Sequence, residues 1–261
     1  MEFINIKRIQ DEKQAIQDEW NSKKPFRYLY LDNFLHTDKA EELLTNYPDP
    51  WKGEWENTTY INQKKKFQKR KFEQDSIFDR VFQELNDPKF LQLMSEITGI
   101  EGLQGDTELF GGGLHQSISG AFLDVHIDYN IHPTTKKHRR LNILVYMNKD
   151  WKEEYKGYLE LWDLQDGKKD CLEKIAPLFN RLAMFETNQI SYHGHPHPLQ
   201  TPKEINRKSL ATYYYTDSRP AHELADEHNT VYVNTTGAKG KVKNIFSGFN
   251  ALLERIKGSK K

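Results

Sequence analysis

Two periodicities divide this chain, a helical one before residue 105 and an alternating one after it. Residues 8–23 are charged, with Ile9, Ala15, Ile16 and Trp20 placed sparsely, and predict a short amphipathic helix. Residues 26–31 alternate as a strand does. Thr37 heads the next helix as its N-cap, ahead of Asp-Lys-Ala-Glu-Glu-Leu-Leu. Within 75–98, Ile77, Phe78, Val81, Phe82 and Leu85 recur at helical spacing. Asp87-Pro88 divides that stretch into two helices, because proline is tolerated at a helix start and not inside one. Beyond Gly105 the apolar runs shorten to strand length and are separated by Gly, Asn, Asp and Pro. The predicted strands are 107–110, 114–118, 121–127, 140–147, 157–162, 171–175, 181–185, 190–193 and 207–215. Helices followed by many short strands predict a β-dominated α+β chain built on an antiparallel sandwich.

A last apolar stripe, Val242, Ile245, Phe246, Phe249, Leu252, Leu253 and Ile256, is flanked by lysines and predicts a C-terminal amphipathic helix. Its expected seat is the chain's own helical layer or a second copy, as in a homodimer, ahead of a membrane surface. The organisation expected is a support region over 1–104, a core over 105–217 and an extension over 218–261.

Composition narrows the classes. The 38 Lys and Arg balance 38 Asp and Glu, so no net field favours nucleic acid or an anionic membrane. A single cysteine, Cys171, excludes an intrachain disulfide and suits a reducing cytoplasm. The first residues lack a signal-peptide stretch, and no window nears the 18 apolar residues of a membrane span. The 14 Phe, 13 Tyr and 5 Trp suit an aromatic-rich β core. Lys64–Lys71 carries six positive charges in eight residues and reads as a solvated loop rather than as a holder of an acidic substrate or of nucleic acid. Gly111-Gly-Gly113 lacks the flanking residues of a phosphate cradle and reads as a tight turn.

The candidate chemistry lies in Phe122-Leu-Asp-Val-His-Ile-Asp-Tyr-Asn130. In an extended strand residues i and i+2 face one side, so His126 and Asp128 can reach a single ion. A third histidine, His193, follows 65 residues after Asp128. Two imidazoles and one carboxylate form the facial triad that leaves three positions of an octahedral metal open, the set diagnostic of non-haem Fe(II) oxygenases. Fourteen residues beyond His193, Arg207 can pair with the far carboxylate of a 2-oxo acid, and Ser209 shares its strand face. Asn142 and Tyr146 sit at even spacing on one predicted strand and are candidates for orienting that co-substrate.

These residues, with Gly111–His115, Gly120–Leu123, Arg140–Asn148, Leu159–Trp162, Phe179–Phe185 and Arg207–Tyr215 in order, resemble the Fe(II)/2-oxoglutarate-dependent dioxygenase superfamily, in particular its prolyl-hydroxylase-like branch. The resemblance is good over about 105–217 and looser before it. It implies a double-stranded β-helix (jelly roll) carrying N-terminal helices. It also implies iron on His126, Asp128 and His193, 2-oxoglutarate anchored by Arg207, O2 as oxidant, and ascorbate as an accessory reductant. Tyr129 and Asn130 would contact a peptide or small-molecule substrate, a prolyl residue being the first expectation. Relatives place the anchoring residue nine to ten positions after the second histidine, which leaves His197 as an alternative ligand. His193 is preferred because Pro196 and Pro198 flank His197, and prolines are disfavoured in a central strand. His195 is expected nearby as a loop or supporting residue, and Arg181 as a structural one. A non-catalytic metal-binding jelly roll and a zinc hydrolase are the rival readings; neither gives Arg207 a task.

Overall fold

The structure, a computed structural model, describes residues 1–233 and Thr235. The first helical prediction resolves into α1 (Ile6–Asp11) and α2 (Lys13–Ser22), broken at Glu12, followed by strand β1 (Tyr28–Leu31). Helix α3 (Thr37–Thr45) starts one residue earlier than predicted: His36, not Thr37, occupies the N-cap. Backbone pairing of His36 with Phe3 keeps the chain extended up to that residue. The pair α4 (Ile77–Leu85) and α5 (Pro88–Thr98) divides as the proline requires. Ser76 caps α4, and the Asp87 carboxylate caps α5 by accepting from the Lys89 amide at 2.8 Å.

Between α3 and α4 lies a hairpin that the charge pattern concealed. The basic run is not a loop: β2 (Glu56–Tyr60) and β3 (Gln63–Lys69) pair antiparallel, and β3 lies along β4 (Gly113–Ile127). Phe67 anchors it, 3% exposed against the edge of Trp51. Residues 107–110 are a turn instead of a strand, because the Asp106 carboxylate draws in the amides of Glu108 and Phe110. The remaining strands are β5 (His138–Tyr146), β6 (Leu159–Asp163), β7 (Asp170–Ile175), β8 (Arg181–Glu186), β9 (Tyr192–His195), β10 (Arg207–Thr216) and β11 (Val231–Tyr232).

The strand order β1-β8-β5-β10-β4-β9-β6-β7 folds over on itself at β4. That strand bends at Gly120 (φ 80°), so its first half pairs with β10 and its second half with β9. Two sheets joined in this way form the double-stranded β-helix, the jelly roll. The helices cover the outer face of β8-β5-β10, where Trp20, Val81, Phe82, Phe90 and Met94 meet Leu141, Ile143, Val145, Leu182, Met184 and Leu210 in one core. A smaller core of Tyr28, Leu159, Leu161, Ala183 and Phe185 fills one end between the sheets. The site borders that core, with Leu159 and Phe185 in its wall. The predicted C-terminal helix over 242–256 falls outside the described residues. Among those described, no helix is long and apolar enough to cross a membrane.

Candidate metal centre and co-substrate cavity

Strand pairing brings the three predicted ligands together. His126 and His193 are direct partners across β4 and β9, and Asp128 follows two residues after His126. Their donor atoms lie within 4.8 Å of one another. His126 Nε2 is 3.5 Å from Asp128 Oδ1, and His193 Nε2 is 3.3 Å from Asp128 Oδ2. Each Nδ1 lies within hydrogen-bonding distance of a backbone carbonyl two residues earlier, Asp124 at 2.8 Å and Ser191 at 2.9 Å. With those nitrogens donating, both Nε2 lone pairs face the carboxylate, which is the arrangement a metal-binding imidazole needs. Burial and the neighbouring His193 lower the pKa of His126, favouring the neutral, ligating form.

Asp128 carries the balance of charge. Burial by itself would raise its pKa, yet Arg139 and His193 hold it well below the ordinary carboxylate range. Arg139 Nη2 lies 3.1 Å from Oδ2, and Asn142 Nδ2 donates to the same oxygen at 2.7 Å. Arg139 Nε in turn donates to Asn142 Oδ1 at 2.9 Å. The guanidinium is stacked over Tyr213 at 3.5 Å and Tyr129 at 4.5 Å. Asn142 therefore buttresses Asp128 while lining the cavity in which its co-substrate contact is expected.

On the adjoining strand Arg207 is fixed at two points. Its Nε donates to the Gly157 carbonyl at 2.7 Å, and Nη2 donates to the Tyr146 hydroxyl at 3.0 Å. Gly157 has a φ of 74°, and a Cβ there would press to 2.4 Å from Leu199, so the residue must be glycine for its carbonyl to reach the arginine. Ser209 lines the same cavity two residues on, as does Tyr129. Tyr129 spends its hydroxyl on the Phe110 carbonyl and Tyr215. Asn130 does not line the cavity; it accepts from the His228 amide and donates to the Asp226 carbonyl, tying down the segment that leads to β11. His197 is exposed and lies 3.6 Å from Glu160, away from the triad, whereas buried His195 lines the cavity. Arg181 pairs with Asp32 at 2.6 Å outside it.

The cavity measures about 260 Å³ and is walled by Leu144, Leu159 and Phe185 beside the polar groups. Alternation alone did not single out three of its residues, Arg139, His115 and Lys66. Tyr232 of β11 packs against His126 with ring centres 5.3 Å apart, and its hydroxyl lies 2.6 Å from that of Tyr60. The hairpin and the last described strand thus meet over the triad.

A jelly roll with a buried two-histidine, one-carboxylate cluster opening on an arginine defines a class of metal-dependent oxygenase folds. Residues 112–215 match the sequence profile described as the 2OG-Fe(II) oxygenase superfamily. That stretch carries all three cluster residues and Arg207. Its fold is shared with a Pseudomonas putida prolyl-4-hydroxylase (TM-score 0.53, 19% identity, 78% of this chain and 99% of that one). It is shared equally with a Trichoplax adhaerens prolyl hydroxylase solved with a hypoxia-inducible-factor peptide (TM-score 0.55, 19% identity, 80% and 92%). HygX of Streptomyces hygroscopicus, solved with nickel and 2-oxoglutarate, is similar too (TM-score 0.50, 14% identity, 84% and 96%). No curated protein matches the chain by sequence.

Proposed function

We propose that this protein is an Fe(II)- and 2-oxoglutarate-dependent dioxygenase that hydroxylates an unactivated C–H bond, with a prolyl residue of a peptide as the substrate. The observation that carries the reading is the convergence of His126, Asp128 and His193 on one point of a cavity that Arg207 also enters. The donor set fits iron: two imidazoles with anchored Nδ1 atoms and one ionised carboxylate. His126, Asp128 and His193 hold the metal. Iron supplies the redox centre at which O2 is reduced while 2-oxoglutarate, substrate and O2 become succinate, carbon dioxide and the alcohol.

The chain's own residues do the rest. Arg207 neutralises the distal carboxylate of 2-oxoglutarate, and the Tyr146 hydroxyl orients that guanidinium and shares the anion. Arg139 and Asn142 keep Asp128 ionised and aimed at the ion. Leu144, Leu159 and Phe185 exclude water from the reacting volume. A cavity near the small end of ligand pockets suits a compact co-substrate and a single side chain. The prolyl assignment is supported by the two prolyl hydroxylases that share the fold.

The test is succinate formation from 2-oxoglutarate by anaerobically iron-loaded protein, with 2-oxoglutarate binding measured alongside by calorimetry. Asp128→Ala is expected to abolish turnover, and Arg207→Ala to raise the 2-oxoglutarate requirement about 100-fold, as for loss of a buried charge partner. Absence of both turnover and 2-oxoglutarate binding in the folded wild type would sink the proposal. A screen of prolyl peptides against amino acids and sugar or lipid intermediates then settles the substrate.

A further inference from the structure

Six positive charges crowd residues 64–71, and one of them turns the opposite way from its neighbours. Lys64 lies over the Phe122 ring, Lys65 donates to the Ser119 carbonyl at 2.9 Å, and Arg70 pairs with Glu56 at 2.8 Å. All three partners are outside the cavity. Lys66 instead lines it, beside the triad and Arg207. Among the described residues no hydrogen bond or contact ion pair holds its ammonium.

A backbone irregularity produces this inversion. Gln63 faces the cavity, so strict alternation would send Lys65 inward and Lys66 out. The ladder between β3 and β4 slips between Lys64 and Lys66, and Lys65 adopts a left-handed φ of 54°. Such a bulge costs conformational energy at a lysine and re-aims the following side chain. The product is a partly buried lysine, a residue type seldom placed inside without a partner. A fold that spends strain to bury an unpaired ammonium is shaped for an anion from elsewhere.

Charge in the cavity agrees. Lys66, Arg139 and Arg207 stand against the single carboxylate Asp128. A divalent ion and the 2-oxoglutarate dianion cancel each other, so the cationic excess survives in the loaded site. Arg139 is committed to Asp128, and Arg207 has Tyr146 and the co-substrate. Burial pushes the Lys66 ammonium down to about 8, with Arg139 and Arg207 acting in the same direction against the pull of Asp128. An incoming anion would restore the charged form.

We infer that Lys66 is the specificity-determining cation of this cavity and that the substrate presents a carboxylate or phosphate group to it beside the C–H bond to be oxidised. The inference rests on the oxygenase reading and narrows its substrate class to anionic molecules or to peptides with an acidic group near the target residue.

The experiment uses full-length protein with 13C-labelled lysine, loaded with zinc(II) as a diamagnetic substitute and saturated with 2-oxoglutarate. Acetate and methyl phosphate are titrated separately, and the Lys66 resonance is assigned by its absence in Lys66→Arg. Saturable movement of that resonance is expected in wild type, and anion affinity followed by calorimetry is expected to fall at least tenfold in Lys66→Met and to return to within about threefold in Lys66→Arg. Tighter binding of acetate assigns the group to a carboxylate, and of methyl phosphate to a phosphate ester. By calorimetry, 2-oxoglutarate affinity stays within about threefold of wild type in Lys66→Met. No movement with either anion would overturn the inference. So would loss of 2-oxoglutarate binding in Lys66→Met matching that in Arg207→Ala, which would give the lysine to the co-substrate. Repeating the anion titration without metal separates the failures: if metal-loaded wild type does not bind 2-oxoglutarate the oxygenase reading falls, whatever the anion result.

Discussion

The two faces of the β8-β5-β10 sheet are made by the same strands and do opposite work. Leu141, Ile143 and Val145 on β5, with Leu210 on β10, point to the helices and are at most 1% exposed. Their neighbours Asn142, Leu144 and Tyr146, with Arg207 and Ser209, point between the sheets. One face is held by apolar burial, which is tolerant of sequence but costly to empty. The other is held by directional polar contacts in which each group depends on a named partner. The outer face makes the barrel rigid enough that the inner one can keep Arg139, Asp128 and Asn142 in register, which no exposed loop would do.

The comparison breaks hardest at Arg139. Its pairing with Asp128 is buried, so Arg139→Met leaves an uncompensated carboxylate and should destabilise the metal-free protein by about 3–5 kcal/mol. A bound divalent ion supplies the missing charge. The rise in melting temperature on adding manganese(II) is therefore expected to be larger for the variant than for wild type; an equal or smaller rise would show that Arg139 does not serve Asp128.

The next effect belongs to the outer face. Ile143→Ala empties a fully buried position and should cost about 3 kcal/mol in urea unfolding. Because Ile143 points away from the cavity, 2-oxoglutarate affinity of the folded variant should match wild type by calorimetry. Tyr146→Phe reverses that pattern. It removes the hydroxyl that accepts from Arg207 at 3.0 Å, and 2-oxoglutarate should bind about tenfold more weakly, the worth of a hydrogen bond to a charged group. A change in stability without a change in affinity would assign the tyrosine to the core alone.

What could be read in the chain follows this division. Period-2 alternation made β5, β10 and the second half of β4 legible, and with them His126, Asp128 and the Arg207–Ser209 pair. Where the ladder slips, alternation misleads. At the start of β5 the pairing steps from Leu141 to Arg139, so Arg139 enters the cavity and Arg140 turns toward Glu223. Lys66 enters through the bulge at Lys65 in the same way. A bulge adds one residue to one strand and leaves no mark in composition, so the inward direction of both cations could not be read beforehand, even though Lys66 belongs to the conspicuous basic run. The β2–β3 hairpin was hidden for another reason: its outer face is so charged that a half-buried strand resembles a solvated loop. Asn130 shows the limit of adjacency, since two residues beyond a cluster member the chain has already left the cavity.

A third arginine sets the lower bound of the comparison. Arg181 stands opposite Tyr146 across β8 and β5, on the face that bears Arg139 and Arg207, but at the rim. There it makes a two-point pair with Asp32, at 2.6 and 2.8 Å, with the carboxylate half exposed. The Arg181 hydrogen bonds hold the Asp32 carboxyl below its ordinary range, against the smaller opposing effect of burial. A depressed native pKa contributes stability above the unfolded value, about 3.9, and loses it as pH falls through the native one. Asp32→Asn should therefore cost under about 1 kcal/mol at pH 7, the ceiling for a solvent-screened pair. It should also flatten the decline of stability between roughly pH 4 and the acid limit, measured by urea unfolding at stepped pH. A slope unchanged by the substitution would mean that solvent cancels the pair. Similar guanidinium–carboxylate chemistry would then be worth several kcal/mol at buried Arg139 and nothing at solvent-screened Arg181.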